Sequence, residues 1–156
     1  MSILKRTLRL ASATCASRAG VSSVELALAT PVLVGLLGLL VDFGVGFYQK
    51  MQVFDAAQAG AQYATVHGWD STAIQNAVTN ATPLTGITAS PAPSQACGCP
   101  NGTSVDAATC GSTCTNGQTA GTYVTVSAQA TYTPMLSYPI FGSTVTLSAQ
   151  SVARIQ

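Results

Sequence analysis

From Leu26 to Val41 the chain runs for sixteen residues without a charge, closed by Glu25 on one side and Asp42 on the other. Wound as a helix this run spans about 24 Å, short of the ~30 Å hydrocarbon core of a bilayer. The uncharged flanks Val21–Val24 and Phe43–Tyr48 supply the missing length and define a span over residues 21–48. Glu25 then lies near or inside the apolar layer, where an uncompensated carboxylate is costly. Pro31 interrupts one backbone hydrogen bond of that helix, which neighbouring helices can offset in a membrane. Gly35 and Gly38 thin the same region and suit close approach of a second helix. Phe43, Phe47 and Tyr48, followed by Lys50, have the composition of an interfacial anchor.

The helical spacing continues past the span. Phe47, Met51, Phe54, Ala57 and Ala61 recur every three to four residues, a stripe that narrows from large to small side chains. Ala57, Gly60, Ala61 and Ala64 make a small-residue face fit for tight helix packing. The pattern predicts one helix from about Ser22 to Val66, ending near Gly68. Asp70 or Ser71 then caps a short second helix to about Asn80, with Ile74, Ala77 and Val78 on its buried face and Pro83 beyond it. Residues 49–82 thus form a helical extension and a short helix.

Residues 83–156 read as strand and loop. Residues 86–90 suit a short strand, and residues 91–120 a long Gly/Asn/Thr loop. In residues 122–132, Val124, Val126, Ala128, Ala130 and Tyr132 alternate with mostly polar positions; Val145, Leu147 and Ala149 do the same within 143–155. Period-2 alternation of this kind predicts two strands with one solvated face. The Pro134- and Pro139-containing segment TPMLSYPIFG joins them as a broad turn. The predicted fold class is α+β: a long N-terminal transmembrane helix extending into a small exported domain that has a short helix and a small antiparallel sheet.

Composition adds direction to this picture. Only 7% of residues are charged, against about 25% in ordinary soluble domains. A net charge of +1 argues against a nucleic-acid partner. Lys5, Arg6, Arg9 and Arg18 precede the apolar run, and beyond Asp70 only Asp106 and Arg154 are charged. The positive-inside rule therefore keeps the N-terminus cytoplasmic and exports the body. Residues 1–20 resemble the basic region of a signal peptide, but the apolar stretch follows Gly20 instead of preceding it.

Cys97, Cys99, Cys110 and Cys114 crowd one exported loop, while Cys15 stands alone in the leader. Their C-x-C and C-x3-C spacings differ from the C-x2-C pairs of common zinc folds, and an oxidising compartment favours two disulfides. Three connectivities are open, of which one containing Cys97–Cys99 is disfavoured by strain. The bridges would staple a loop that has no core of its own. His67 is the single histidine, and nothing adjacent in sequence orients it for catalysis. Asp42-Phe43-Gly44 matches the kinase triplet by letters only, and Asn80-Ala81-Thr82 and Asn101-Gly102-Thr103 match the short glycosylation pattern that often arises by chance. The expectation is a non-enzymatic chain with no cofactor and no metal.

The segment Gly20-Val21-Ser22-Ser23-Val24-Glu25 resembles the type IV prepilin processing motif, in which a membrane peptidase cuts after the glycine. Val21 would then be the new N-terminus, and Glu25 the mature chain's fifth residue. The α-ammonium of a neighbouring subunit's Val21 would give Glu25 its cation. More broadly, Arg18–Ala64 resembles the TadE-like family of minor pilin-type proteins in tight-adherence (Flp-type, type IVc) pilus systems. The matching pieces are Arg18-Ala-Gly20, Val24-Glu25-Leu26-Ala27-Leu28, Pro31, Asp42-Phe43-Gly44 and Ala56–Ala64. Leu26 departs from the aromatic residue frequent in that family, and Gln58 and Gln62 from its common arginines. The resemblance implies a pseudopilin working in secretion and adhesion. Its partners would be other pilin-type subunits, the Tad assembly machinery, a prepilin peptidase and the bacterial inner membrane, with the C-terminal domain periplasmic. Assembly contacts would run through Glu25, Pro31, Gly35, Gly38 and the small face Ala57, Gly60, Ala61 and Ala64. The competing reading is an unprocessed, membrane-anchored periplasmic scaffold or binding module.

Overall fold

The computed structural model describes residues 19–136 and 143–155, with the side chains of residues 19–22 left out. The basic leader before Ala19, with Cys15, and the Pro139 part of the broad turn lie outside the described residues. The chain divides into two compact units, Met1–Val41 and Asp42–Gln156, taken here in turn.

In the first unit the described residues belong to helix α1, which runs Ala19–His67 through both units. α1 continues through Pro31, and the Thr30 hydroxyl donates to the Leu26 carbonyl at 2.7 Å. Leu26, Leu28, Val32, Leu36 and Leu40 are all exposed. Among the described residues α1 is the helix long and apolar enough to cross a membrane: its most apolar window has a mean hydropathy of 2.2, and none of that window is buried within the chain.

The second unit packs the rest of α1 and helix α2 (Ser71–Thr79) on one four-stranded antiparallel sheet. Its strands are β1 (Ser94–Asn101), β2 (Ser104–Ala107), β3 (Gly121–Tyr132) and β4 (Val145–Arg154), in the order β2-β1-β3-β4. α1 ends where Gly68 takes a left-handed φ of 82°. Asp70 then caps α2, its carboxylate accepting from the backbone N–H of Thr72 and Ala73, both at 3.0 Å. Ile74 and Val78 are fully buried, as helical spacing requires, while Ala77 is half-buried.

The core shows how the stripe on α1 divides. Val53, Ala56, Ala57, Gly60, Ala61 and Ala64 recur at helical spacing and are buried, whereas Phe47, Met51 and Phe54 stay exposed. The expected single stripe is thus corrected: the buried face is the small one. The reason is volume. Val124 and Val126 of β3 and Ile74 and Val78 of α2 supply the bulk, so α1 comes close enough to fill the layer only where its side chains are small. Gly60 marks the tightest point, since a Cβ there would lie 2.6 Å from Val78 Cγ2 and 2.8 Å from Val126 Cγ1. Gly60→Ala gains about 1 kcal/mol of helix propensity but overpacks this contact, at a cost of about 1–3 kcal/mol. The expected result is a net loss of stability in chemical denaturation, and Gly60→Val should lose more.

On β3, Val124, Val126, Ala128, Ala130 and Tyr132 are buried as the alternation predicts, and β4 pairs with β3 from Tyr123↔Arg154 to Tyr132↔Val145. Two expectations need correction. Residues 91–120 are not one loop, because β1 and β2 form a hairpin across Gly102-Thr103, with Gly102 at φ 60°. β1 holds its place by pairing with β3 over Ser94–Gly98; Pro100 lies beyond that ladder and faces only β2, where its missing N–H is tolerated. Residues 86–90 contribute a single bridge, Thr88↔Gln129, and no strand.

Candidate functional site

The residues expected to guide processing and assembly lie along the first half of α1. Gly20 and Val21 fall in its first turn, and Glu25 follows about 7.5 Å further along the axis from Gly20. Glu25, Pro31 and Gly35 are exposed, and Gly38 is half-buried. A Cβ placed on Gly35 meets nothing within 4 Å, so this stretch has room for a neighbour. Ala57, Gly60, Ala61 and Ala64 are elsewhere: all four are enclosed in the second unit's own core, against α2 and β3. Their tight packing is made within the chain.

The cysteines are brought together in pairs. Cys97 is bonded to Cys110 and Cys99 to Cys114, with Cα–Cα separations of 5.1 and 5.6 Å. Bonded to each other, these sulfurs are not thiolate ligands for zinc. Gly98 between Cys97 and Cys99 is buried, and a Cβ on it would collide with Val105 Cγ1 across the hairpin. The two bridges tie β1 to the segment 108–120. Besides the bridges, Ala108 N–H donates to the Cys97 carbonyl at 3.1 Å, and the rest of the segment is held by its own turns, such as Gly117 N–H to the Cys114 carbonyl at 2.9 Å. His67 is exposed at the end of α1, its ring stacked on Tyr63 at 4.3 Å.

A further constellation, not found by sequence reasoning, sits where the apolar run ends. Asp42 is 4% exposed. Its Oδ1 accepts from the Tyr132 hydroxyl at 3.1 Å and from the Met135 N–H at 2.8 Å, and its Oδ2 accepts from the Leu136 N–H at 3.0 Å. The same hydroxyl lies 3.0 Å from the Asp42 carbonyl oxygen. One turn on, the Tyr132 ring packs beside Gly46, with ring carbons 3.4–3.9 Å from where a Cβ would stand, an ordinary packing distance. Eight residues beyond Asp42, Lys50 donates to the Ser148 carbonyl of β4. An open apolar groove of about 260 Å³ runs between these two ties, lined by Phe43, Phe47, Pro134, Val145 and Leu147 among others. Sequence gave half a signal for this clamp. Asp42 stood out as a carboxylate bordering an apolar run, but its partners lie some ninety residues away and only the fold pairs them.

Comparison with known proteins bears on this same helix. Residues 20–62 match the family model described as TadE-like protein. The segment is TadE-like. The match covers a little over a quarter of the chain and points to a Tad pilus-associated protein. No curated protein and no solved structure matches the chain. The TadE-like segment contains Gly20, Glu25, Asp42 and Gly60, while the partners of the last two, Tyr132, Val78 and Val126, lie outside it. The matched helix therefore carries Gly20 and Glu25 at its head and, further on, Asp42 and Gly60, against which residues of β3 and α2 pack.

Proposed function

We propose that this chain is a TadE-like pseudopilin of a Tad (Flp-type) pilus, cut after Gly20 by a prepilin peptidase. In this reading it acts as a non-enzymatic assembly component anchored in the bacterial inner membrane, with its C-terminal domain in the periplasm. One observation carries the reading. Within the TadE-like segment, a glycine and a glutamate stand five residues apart at the head of a helix that is otherwise uncharged up to Asp42. Glu25 in lipid needs a cation, and the new α-ammonium at Val21 of an adjacent subunit supplies one in register. The pairing neutralises both charges only when subunits pack side by side, so it rewards assembly and not insertion alone. Pro31, Gly35 and Gly38 then form the face on which neighbouring helices close.

Glu25→Ala is expected to insert normally, since it removes a charge from the apolar segment, yet to lose most assembled pili. Cell-surface pilus yield and the protein's membrane fraction, measured together, give the two readouts. Normal pilus yield from Glu25→Ala would reject the ion-pair mechanism.

The alternative is an unprocessed, membrane-anchored scaffold. It draws on the finding that Ala57, Gly60, Ala61 and Ala64 are occupied within the domain and are not open to other helices. The two readings part at the N-terminus of the mature chain.

A further inference from the structure

We infer that the exported domain makes a second contact with the membrane, through the Met135–Leu136 turn that Asp42 holds against α1. The inference rests on the reading of α1 as a membrane span. Met135 is 77% exposed and Leu136 42% exposed, and the two are consecutive. Their backbone N–H groups are bound by the carboxylate of Asp42, the residue directly after the apolar run. The turn's backbone is thus positioned by a specific tie before it meets a surface.

The two ties to α1 give the domain a direction. Met135 and Leu136 attach at Asp42, whereas Ser148 of β4 attaches at Lys50, about 12 Å further along the helix axis. The turn is therefore tied at the residue that directly follows the apolar run in the chain, and β4 further from it. Phe43 and Phe47, exposed on the same stretch of helix, and the apolar groove beside them continue the patch. Facing water, so many adjacent apolar groups would be an anomaly. At the head-group boundary they are where amphipathic and aromatic side chains partition. The occupant of the patch is the bilayer that α1 crosses, because chain continuity sets Asp42 at its edge. Asp42 itself is tolerated at that depth because the Tyr132 hydroxyl and two backbone N–H groups replace its water.

The test uses the full-length protein with Cys15→Ser, reconstituted in vesicles of phosphatidylcholine and phosphatidylglycerol. An environment-sensitive fluorophore is attached in turn through Met135→Cys, Leu33→Cys and Thr103→Cys. Thr103 is in the β1–β2 turn, beyond the opposite end of β3. Spin-labelled lipids, carrying the label either at the head group or deep in the acyl chain, serve as quenchers. The expected result is head-group quenching at position 135 several-fold stronger than at position 103, with deep quenching at position 33. Deep quenching at 33 but none at 135 overturns the proposal and leaves the span intact. A label at 135 that is shielded from water yet unquenched by lipid also overturns it, assigning the patch to another subunit. Absence of quenching at 33 overturns both the contact and the span.

Discussion

Asp42→Ala is expected to destabilise the C-terminal domain by about 3 kcal/mol, a substantial part of the 5–15 kcal/mol typical of a whole domain. The carboxylate joins α1 to the end of β3 and to the turn that follows it, through Tyr132, Met135 and Leu136. Hydrogen bonds to a charged acceptor contribute about 1.5–3 kcal/mol each, but they share one group here and are not additive. Truncation also removes the Oδ1 acceptor of the buried Tyr132 hydroxyl, which lies 3.0 Å from the Asp42 carbonyl as well. Asp42→Asn should be nearly as damaging, because one carboxylate oxygen becomes an amide donor facing a backbone N–H. Denaturant midpoints of the full chain in detergent give the global change. Amide exchange should localise it, with Met135 and Leu136 losing protection first. An unfolding free energy within about 0.5 kcal/mol of wild type, a margin usual for inconsequential surface changes, would show that the clamp contributes little.

Removing both disulfides is the second large effect, and it should be local. The bridges close loops of 13 and 15 residues in sequence separation, for which the chain-entropy estimate is about 3 kcal/mol each. β2 is exposed along its whole length, and β1 buries only Gly98. Without the bridges, little besides the backbone ladder to β3 keeps the hairpin and the segment 108–120 in place. The core of Val53, Ile74, Val78, Val124 and Val126 uses none of these residues. Replacing all four cysteines by serine should therefore abolish amide protection across residues 94–120 while leaving that of Val124–Ala130 largely intact. Loss of protection across the whole sheet in a single step would show that the bridges hold the entire domain.

The two results also mark where the sequence was legible. The helices and the β3–β4 pair rest on periodicity, and periodicity is local: Ile74 and Val78, or Val124 through Tyr132, announce their buried face without any knowledge of the partner. β1 and β2 rest on cross-linking and on a neighbour's open edge. SQACGCPN has no alternation to read and buries almost nothing, so it looked like loop. The small face of α1 was visible, but its occupant was not. Gly60 and its neighbouring alanines serve equally well to admit a second chain or the chain's own β3, and only the fold decides between them. The Asp42 clamp failed for a related reason, since a carboxylate advertises a need for partners and not where they are.

Processing at the head of α1 is read most directly from the mature N-terminus. Protein purified from its own membrane should be analysed by intact mass and N-terminal peptide sequencing, with and without the prepilin peptidase. The account predicts a chain beginning at Val21 in the first case and retaining the leader in the second. A chain that still begins at Met1 when the peptidase is present would contradict it. Glu25 would then be a boundary charge on an anchored scaffold.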